Sequence, residues 1–125
     1  MTNPNDLIDR YFAMWNETNA ERRRDLIAAT WADDARYVDP MLEGEGRKGI
    51  DAMVAAVHQR FPGLKFRRTG KIDLHHDRVR FSWELAPDDG PVFADGVDFG
   101  VLAADGRLRA ITGFIDHAPA QPAAG

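Results

Sequence analysis

The sequence predicts an α+β fold: three helices followed by a curved, mainly antiparallel sheet, folded around a pocket for a small, largely apolar molecule. Three observations predict it. Apolar residues recur at helical spacing in the first half of the chain, then alternate with period two in the second. Glycine and proline punctuate the second half at hairpin intervals. Three polar residues, Tyr11, Asp39 and Asp98, fall where the pattern expects an apolar residue or a pocket wall.

The first helix is expected from about Asp6 to Asn16, with Leu7, Ile8, Tyr11, Phe12, Met14 and Trp15 in one broad stripe. Thr18 is expected to open the second, because Thr18-Asn19-Ala20-Glu21 has capping-box spacing. Leu26, Ile27, Thr30 and Trp31 form its inward face, and it fails at Asp33-Asp34, which favour caps and turns. Ala35 to Asp39 reads as a short strand stopped by Pro40, with Ala35, Tyr37 and Asp39 on one side. Gly44, Gly46 and Gly49 mark a loop, and a third helix is expected from Ile50 to Arg60, ended by Pro62-Gly63.

The rest is β. A long strand from Leu64 to Leu74 carries Gly70 as a bend, and His75-His76-Asp77 forms the turn. Arg78 to Ala86 alternates, with Val79, Phe81, Trp83 and Leu85 on one face. Val92 to Ala103 and Arg107 to Phe114 form a final hairpin around Asp105-Gly106. The tail beyond His117 is expected to be loose.

With 125 residues, one domain is expected over 1–125, its core at about 6–117. Hydrophobic residues make up 44% and charged residues 29%, a balance that excludes disorder. The net charge of −4 runs against nucleic-acid binding, which needs a basic face. Arg22-Arg23-Arg24 reads as a solvated helix face rather than a phosphate site. No cysteine is present, which removes disulfides, thiolate metal sites and cysteine nucleophiles and agrees with a reducing, cytoplasmic setting. No apolar run reaches the ~18 residues of a membrane helix, and no signal segment is expected from the opening residues. His75 and His76 are adjacent and point apart, so no metal site is expected.

A carboxylate within an apolar strand must be paired, protonated or placed in a wet cavity, unless its face of the sheet meets solvent. Asp98, inside Val97-Asp98-Phe99-Gly100-Val101-Leu102, poses that choice. The string Trp31-Ala-Asp-Asp-Ala-Arg-Tyr-Val-Asp-Pro40, the glycines of Gly44 to Gly49 and Val97-Asp98-Phe99 before Asp105-Gly106-Arg107 resemble the NTF2-like superfamily. Within it the chain is similar to SnoaL-like polyketide cyclases and ketosteroid isomerases, over about Leu7 to Phe114. The resemblance implies a conical half-barrel, with three helices packed in the concave face of the sheet and a cavity at the wide end.

The likeness to the isomerases also implies roles. Their oxyanion-hole tyrosine falls on Tyr11, their general base on Asp39 of Asp39-Pro40, and their protonated acid on Asp98; that acid is a known case of a carboxyl kept neutral by apolar surroundings. A base beside the carbon removes the proton, and neutral donors stabilise the enolate. Departures are present. Val57 stands where a supporting tyrosine is expected, and Phe99 follows Asp98 where the isomerases have a histidine. Gly96, two before Asp98, disfavours the Arg–Asp arrangement of limonene epoxide hydrolases. Trp15, Tyr37, Val57, His58, Phe81 and Trp83 are the expected substrate-binding wall, with His58 open to a structural role instead. The expected activity is cofactor-independent and metal-free, an isomerase or cyclase working by proton transfer on a small apolar carbonyl compound. The alternatives are a non-catalytic ligand-binding or sensing domain, or an interaction module. A homodimer is expected, because three short helices cannot cover both faces of the sheet: Val79, Phe81, Trp83 and Leu85 fill one, and Phe93, Val97, Phe99 and Val101 the other.

Overall fold

A computed structural model describes residues 3–119. Helix α1 spans Pro4–Asn16; Asn3 caps it by accepting from the Asn5 amide at 2.9 Å, and Pro4 takes the first turn, where no donor is needed. Helix α2 spans Ala20–Thr30. Its cap is Asn19, which accepts from the Arg22 amide at 2.9 Å, so the expected Thr18 box is displaced by one residue. Glu17 turns back to accept from the Asn19 amide instead. The helix stops at Thr30, earlier than expected.

Strand β1 therefore begins at Trp31 and runs to Val38. Trp31 is fully buried, and that burial at the strand's start outweighs its local helical pattern. Asp33 and Asp34 lie exposed in a register irregularity between Trp31 and Arg36, where a bulge lets both carboxylates reach water. A short strand not foreseen in the sequence, β2 (Glu43–Glu45), pairs antiparallel with β1, and α3 then runs from Gly46 to Arg60. Gly44 permits this closure, since a Cβ there would meet the Gly49 carbonyl and Ile50 Cα at 3.2 Å.

Strands β3 (Leu64–His75), β4 (Arg78–Pro87), β5 (Ala94–Leu102) and β6 (Leu108–His117) complete one six-stranded sheet of order β2-β1-β6-β5-β4-β3. Among the described residues only the β1–β6 pairing is parallel. Gly70 has φ of +69° and marks the expected bend, where the β3–β4 register shifts. The helices pack on the curved sheet's concave face, burying Val79, Phe81, Trp83 and Leu85 of β4 with Tyr11, Trp15, Ile27 and Val54 of the helices.

Two expectations fail here. Arg23 is buried, its guanidinium bonded to Asp51 Oδ1 at 2.6 Å and to the Glu17 carbonyl at 3.0 Å, so it ties α2 to α3 rather than facing solvent. Phe93 precedes β5 and packs its ring 5.3 Å from Phe61 of the α3 C-cap, away from the outer face shared by Val97, Phe99 and Val101. The tail expected to be loose lies, from residue 120 on, outside the described residues.

Candidate active site

The helices leave a cavity of about 180 Å³ against the concave face. Helix α1 contributes Tyr11, Phe12 and Trp15; β1 and its following turn contribute Tyr37, Asp39, Met41 and Leu42; α3 and its cap contribute Ala56, Val57, Arg60 and Phe61. The sheet adds Phe66, Trp83, Leu85, Ala94, Asp98 and Ile115, with Phe93, Ala118 and Pro119 at strand ends. Met41, Arg60 and Phe93 are exposed and form the open side, whereas Tyr11, Trp83 and Asp98 are buried at the inner end.

Asp98 is 3% exposed, which decides its face: it points into the cavity. Both its oxygens are held. Tyr11 donates its hydroxyl to Oδ2 at 2.7 Å, and Trp83 donates its indole N–H to Oδ1 at 3.0 Å. The indole reaches across β5 because position 96 is glycine; a Cβ there would lie 2.6 Å from Trp83 Cζ2 and 2.0 Å from the Phe114 carbonyl. Burial pushes the Asp98 carboxyl up to about 7, Asp39 adds to the rise, and the bonds from Tyr11 and Trp83 oppose it. Burial also raises the Tyr11 phenol well above its ordinary value, with the Asp98 charge adding to it.

Asp39 lies just past β1, on the cavity side of Tyr37, two residues earlier. Tyr37 donates to Asp39 Oδ2 at 2.6 Å. Asp39 Oδ1 accepts the Met41 and Leu42 amides, each at 2.8 Å, closing a turn in which Leu42 returns its carbonyl to the Asp39 amide. The Tyr37 phenol is raised well above its usual range, first by burial and then by the charges of Asp98 and Asp39.

The cavity thus brings together Tyr11, Asp39 and Asp98, with Trp15, Tyr37, Val57 and Trp83 on its wall. Two expected wall residues stand outside it. His58 spends its Nε2–H on the Trp15 carbonyl at 2.6 Å and so binds α3 to α1. Phe81 lies behind Tyr11, its ring centroid 5.3 Å away, and is sealed in the core. Sequence reasoning missed Gly113 of β6, whose missing side chain leaves room for Asp98, Asp39 and Tyr37. A glycine in the interior of a strand was the available signal.

Among the described residues no cluster of three or more His, Asp or Glu could hold a metal, and no helix is long and apolar enough to cross a membrane.

Fold and cavity together define an NTF2-like cone. A sequence-family model described as a SnoaL-like domain matches residues 8–111, and the chain belongs to that SnoaL-like family. A crystal structure from Agrobacterium tumefaciens strain C58, named as a candidate isomerase of the SnoaL-like family, is 44% identical, with a TM-score of 0.85 over 90% of this chain and 96% of its own. An NTF2-like protein of unknown function from Exiguobacterium sp. 255-15 is 25% identical, with a TM-score of 0.71 over 90% of this chain and 99% of its own. A SnoaL-like protein from Jannaschia sp. CCS1, named as a candidate polyketide cyclase, shares the fold at 19% identity and a TM-score of 0.67, over 93% of this chain and 90% of its own. No curated protein matches the chain.

Proposed function

We propose that one domain, over about residues 6–117, catalyses cofactor-independent proton transfer on a small apolar carbonyl compound, as an isomerase or cyclase. The observation that carries this reading is Asp98: a carboxyl 3% exposed and pushed up to about 7, beside a phenol and in the same cavity as a second, differently placed carboxyl. Paired carboxyls in unlike environments divide into acid and base. Asp39 is the base that takes the proton beside the carbonyl. Neutral Asp98 and Tyr11 are the donors for the resulting oxyanion, in surroundings dry enough to make each bond count. The name of the Agrobacterium relative as a candidate isomerase supports the same class. A cavity near 180 Å³ suits a single-ring compound, since about 150 Å³ accommodates benzene.

The rival is ligand binding without chemistry, and one observation favours it. Both oxygens of Asp39 are already engaged, by Tyr37 and by the turn amides. Deuterium exchange at the α-carbon of single-ring ketones and enones in D₂O, followed by proton NMR, separates the two. Enolisation predicts exchange far above the buffer rate. Saturable binding by thermal shift with exchange at the buffer rate across the series would leave only the binder.

The chain is proposed to pair with a second copy through the outer face of the sheet. Val97, Phe99 and Val101 of β5 and Phe114 of β6 lie there, and Phe99 and Phe114 remain 40% and 55% exposed. Phe114 stands opposite Val97, so the patch is continuous.

A further inference from the structure

Gly113 stands on β6 directly opposite Asp98 of β5. A Cβ at that position would lie 2.8 Å from Asp98 Oδ1, 3.1 Å from Asp39 Cβ and 3.3 Å from Tyr37 Oη. Three polar side chains, from β5, β1 and the turn after β1, thus converge on the space of one missing methyl group. Their hydrogen-bond partners are phenols, an indole and backbone amides. A charged carboxylate on one side of that space opposes ionisation of a buried carboxyl on the other.

We propose that Asp39 and Asp98 form one coupled acid–base pair across Gly113, in which the charge on Asp39 sets how firmly Asp98 holds its proton. The pair stands on geometry alone; its catalytic consequence rests on the proton-transfer reading above. When a substrate C–H bond breaks, its proton goes to Asp39 and its electron pair moves to the carbonyl oxygen as an enolate. Asp39 is then neutral, so its repulsion on Asp98 ends as negative charge reaches the substrate oxygen. Asp98 keeps its proton and becomes the stronger hydrogen-bond donor at that moment. Returning the proton from Asp39 to carbon restores the starting state. Gly113 is a positioning residue in this scheme, and Tyr37 holds the Asp39 carboxyl in place. The other titratable groups on the cavity wall are Tyr11 from α1, Tyr37 from β1 and Arg60 from α3.

The test is a pH titration of aspartate carboxyl carbon-13 shifts in the ligand-free protein, with Asp98→Asn and Asp39→Asn identifying the resonances. In the unmodified chain, the Asp98 carboxyl should report a second, smaller inflection besides its own. Asp39→Asn should lower the Asp98 midpoint by about one pH unit, as expected when a like charge is removed from a buried neighbour. Asp95→Asn, on the same strand but paired with His117 at the surface, should move it by less than about 0.2 units. Gly113→Ala should shrink the effect of Asp39→Asn by forcing the carboxyls apart. An Asp98 midpoint unmoved by Asp39→Asn, or moved equally by Asp95→Asn, overturns the pair. If a variant fails to fold, the unmodified chain still decides: a single inflection at Asp98 also overturns it. No substrate enters this titration, so absence of α-proton exchange would remove the proton-transfer reading and leave the pair standing.

Discussion

Tyr11 and Asp98, 87 positions apart in the chain, share a 2.7 Å hydrogen bond inside the cavity. The phenol donates, and Trp83 donates to the other carboxyl oxygen. An indole can only donate, so Trp83 accepts nothing in return. With Asp98 neutral, its proton can satisfy Tyr11, whose own hydroxyl proton then turns toward the cavity. The bond joins a helix to a strand far away in the chain and so places α1 and β5 under a common constraint.

Asp39→Asn should lower α-proton exchange or turnover by about 10²–10⁴-fold while the thermal midpoint changes little. The amide oxygen still accepts the Met41 and Leu42 amides, so the turn survives; the amide nitrogen replaces the proton acceptor, and Tyr37 turns to accept from it. Tyr11→Phe should cost less, within the roughly 10²–10³ typical of one oxyanion donor, because Asp98 remains. His58→Ala should keep turnover and lose about 1 kcal/mol of stability, the worth of its bond to Trp15. Full activity in Asp39→Asn with none in His58→Ala would move the chemistry to α3.

The raised Asp98 carboxyl predicts an unusual slope of stability with pH. Burial pushes the folded carboxyl up to about 7, above the usual carboxylate value of about 4, so between about pH 4 and pH 7 the folded chain holds a proton that the unfolded chain has released. This group's contribution is therefore fully present at low pH and fades as pH rises toward 7, by an amount of order a few kcal/mol. Asp98→Asn should flatten that slope, gaining on the unmodified chain as pH rises, in denaturation curves taken across the window. Parallel curves would show that Asp98 is ionised in the fold throughout.

Gly96→Ala should destabilise the fold by at least about 1–3 kcal/mol, measured by urea denaturation, because the added methyl meets both a backbone carbonyl and the Trp83 ring. It should also break the Trp83–Asp98 bond and change tryptophan emission. Unchanged stability would mean that the Trp83 ring does not lie across β5.

Light scattering at micromolar concentration should give twice the 14.0 kDa chain mass, and Phe114→Glu should return it to one chain with the far-ultraviolet spectrum intact. Phe114 is the most exposed large apolar residue on the outer face, so a charge there opposes pairing without touching the core. A monomer in the unmodified protein would leave the outer face without a copy to cover it.

What the sequence determined by itself is what depends on neighbours a few positions apart. Helical spacing from Leu7 to Trp15 specified α1 and its buried stripe, and alternation from Val79 to Leu85 specified which face of β4 enters the core. The misfit of Tyr11 and Asp98 within apolar patterns marked two members of the site, and the Asp39-Pro40 string carried the third through family resemblance. Boundaries were less legible where long-range burial competed with local propensity: Trp31 has the spacing of a helix face but starts β1 because the core takes it. Arg23 looked like one of three solvated arginines until α3 brought Asp51 within 2.6 Å. Only tertiary structure decided that Asp98 faces the cavity, that Trp83 rather than Phe81 supports it, and that His58 is spent on Trp15. It also decided that the space left by Gly113 is shared by Asp98, Asp39 and Tyr37. The reason is physical: each of these contacts joins residues distant in the chain, and their distances are set by sheet register and curvature, which no local pattern contains.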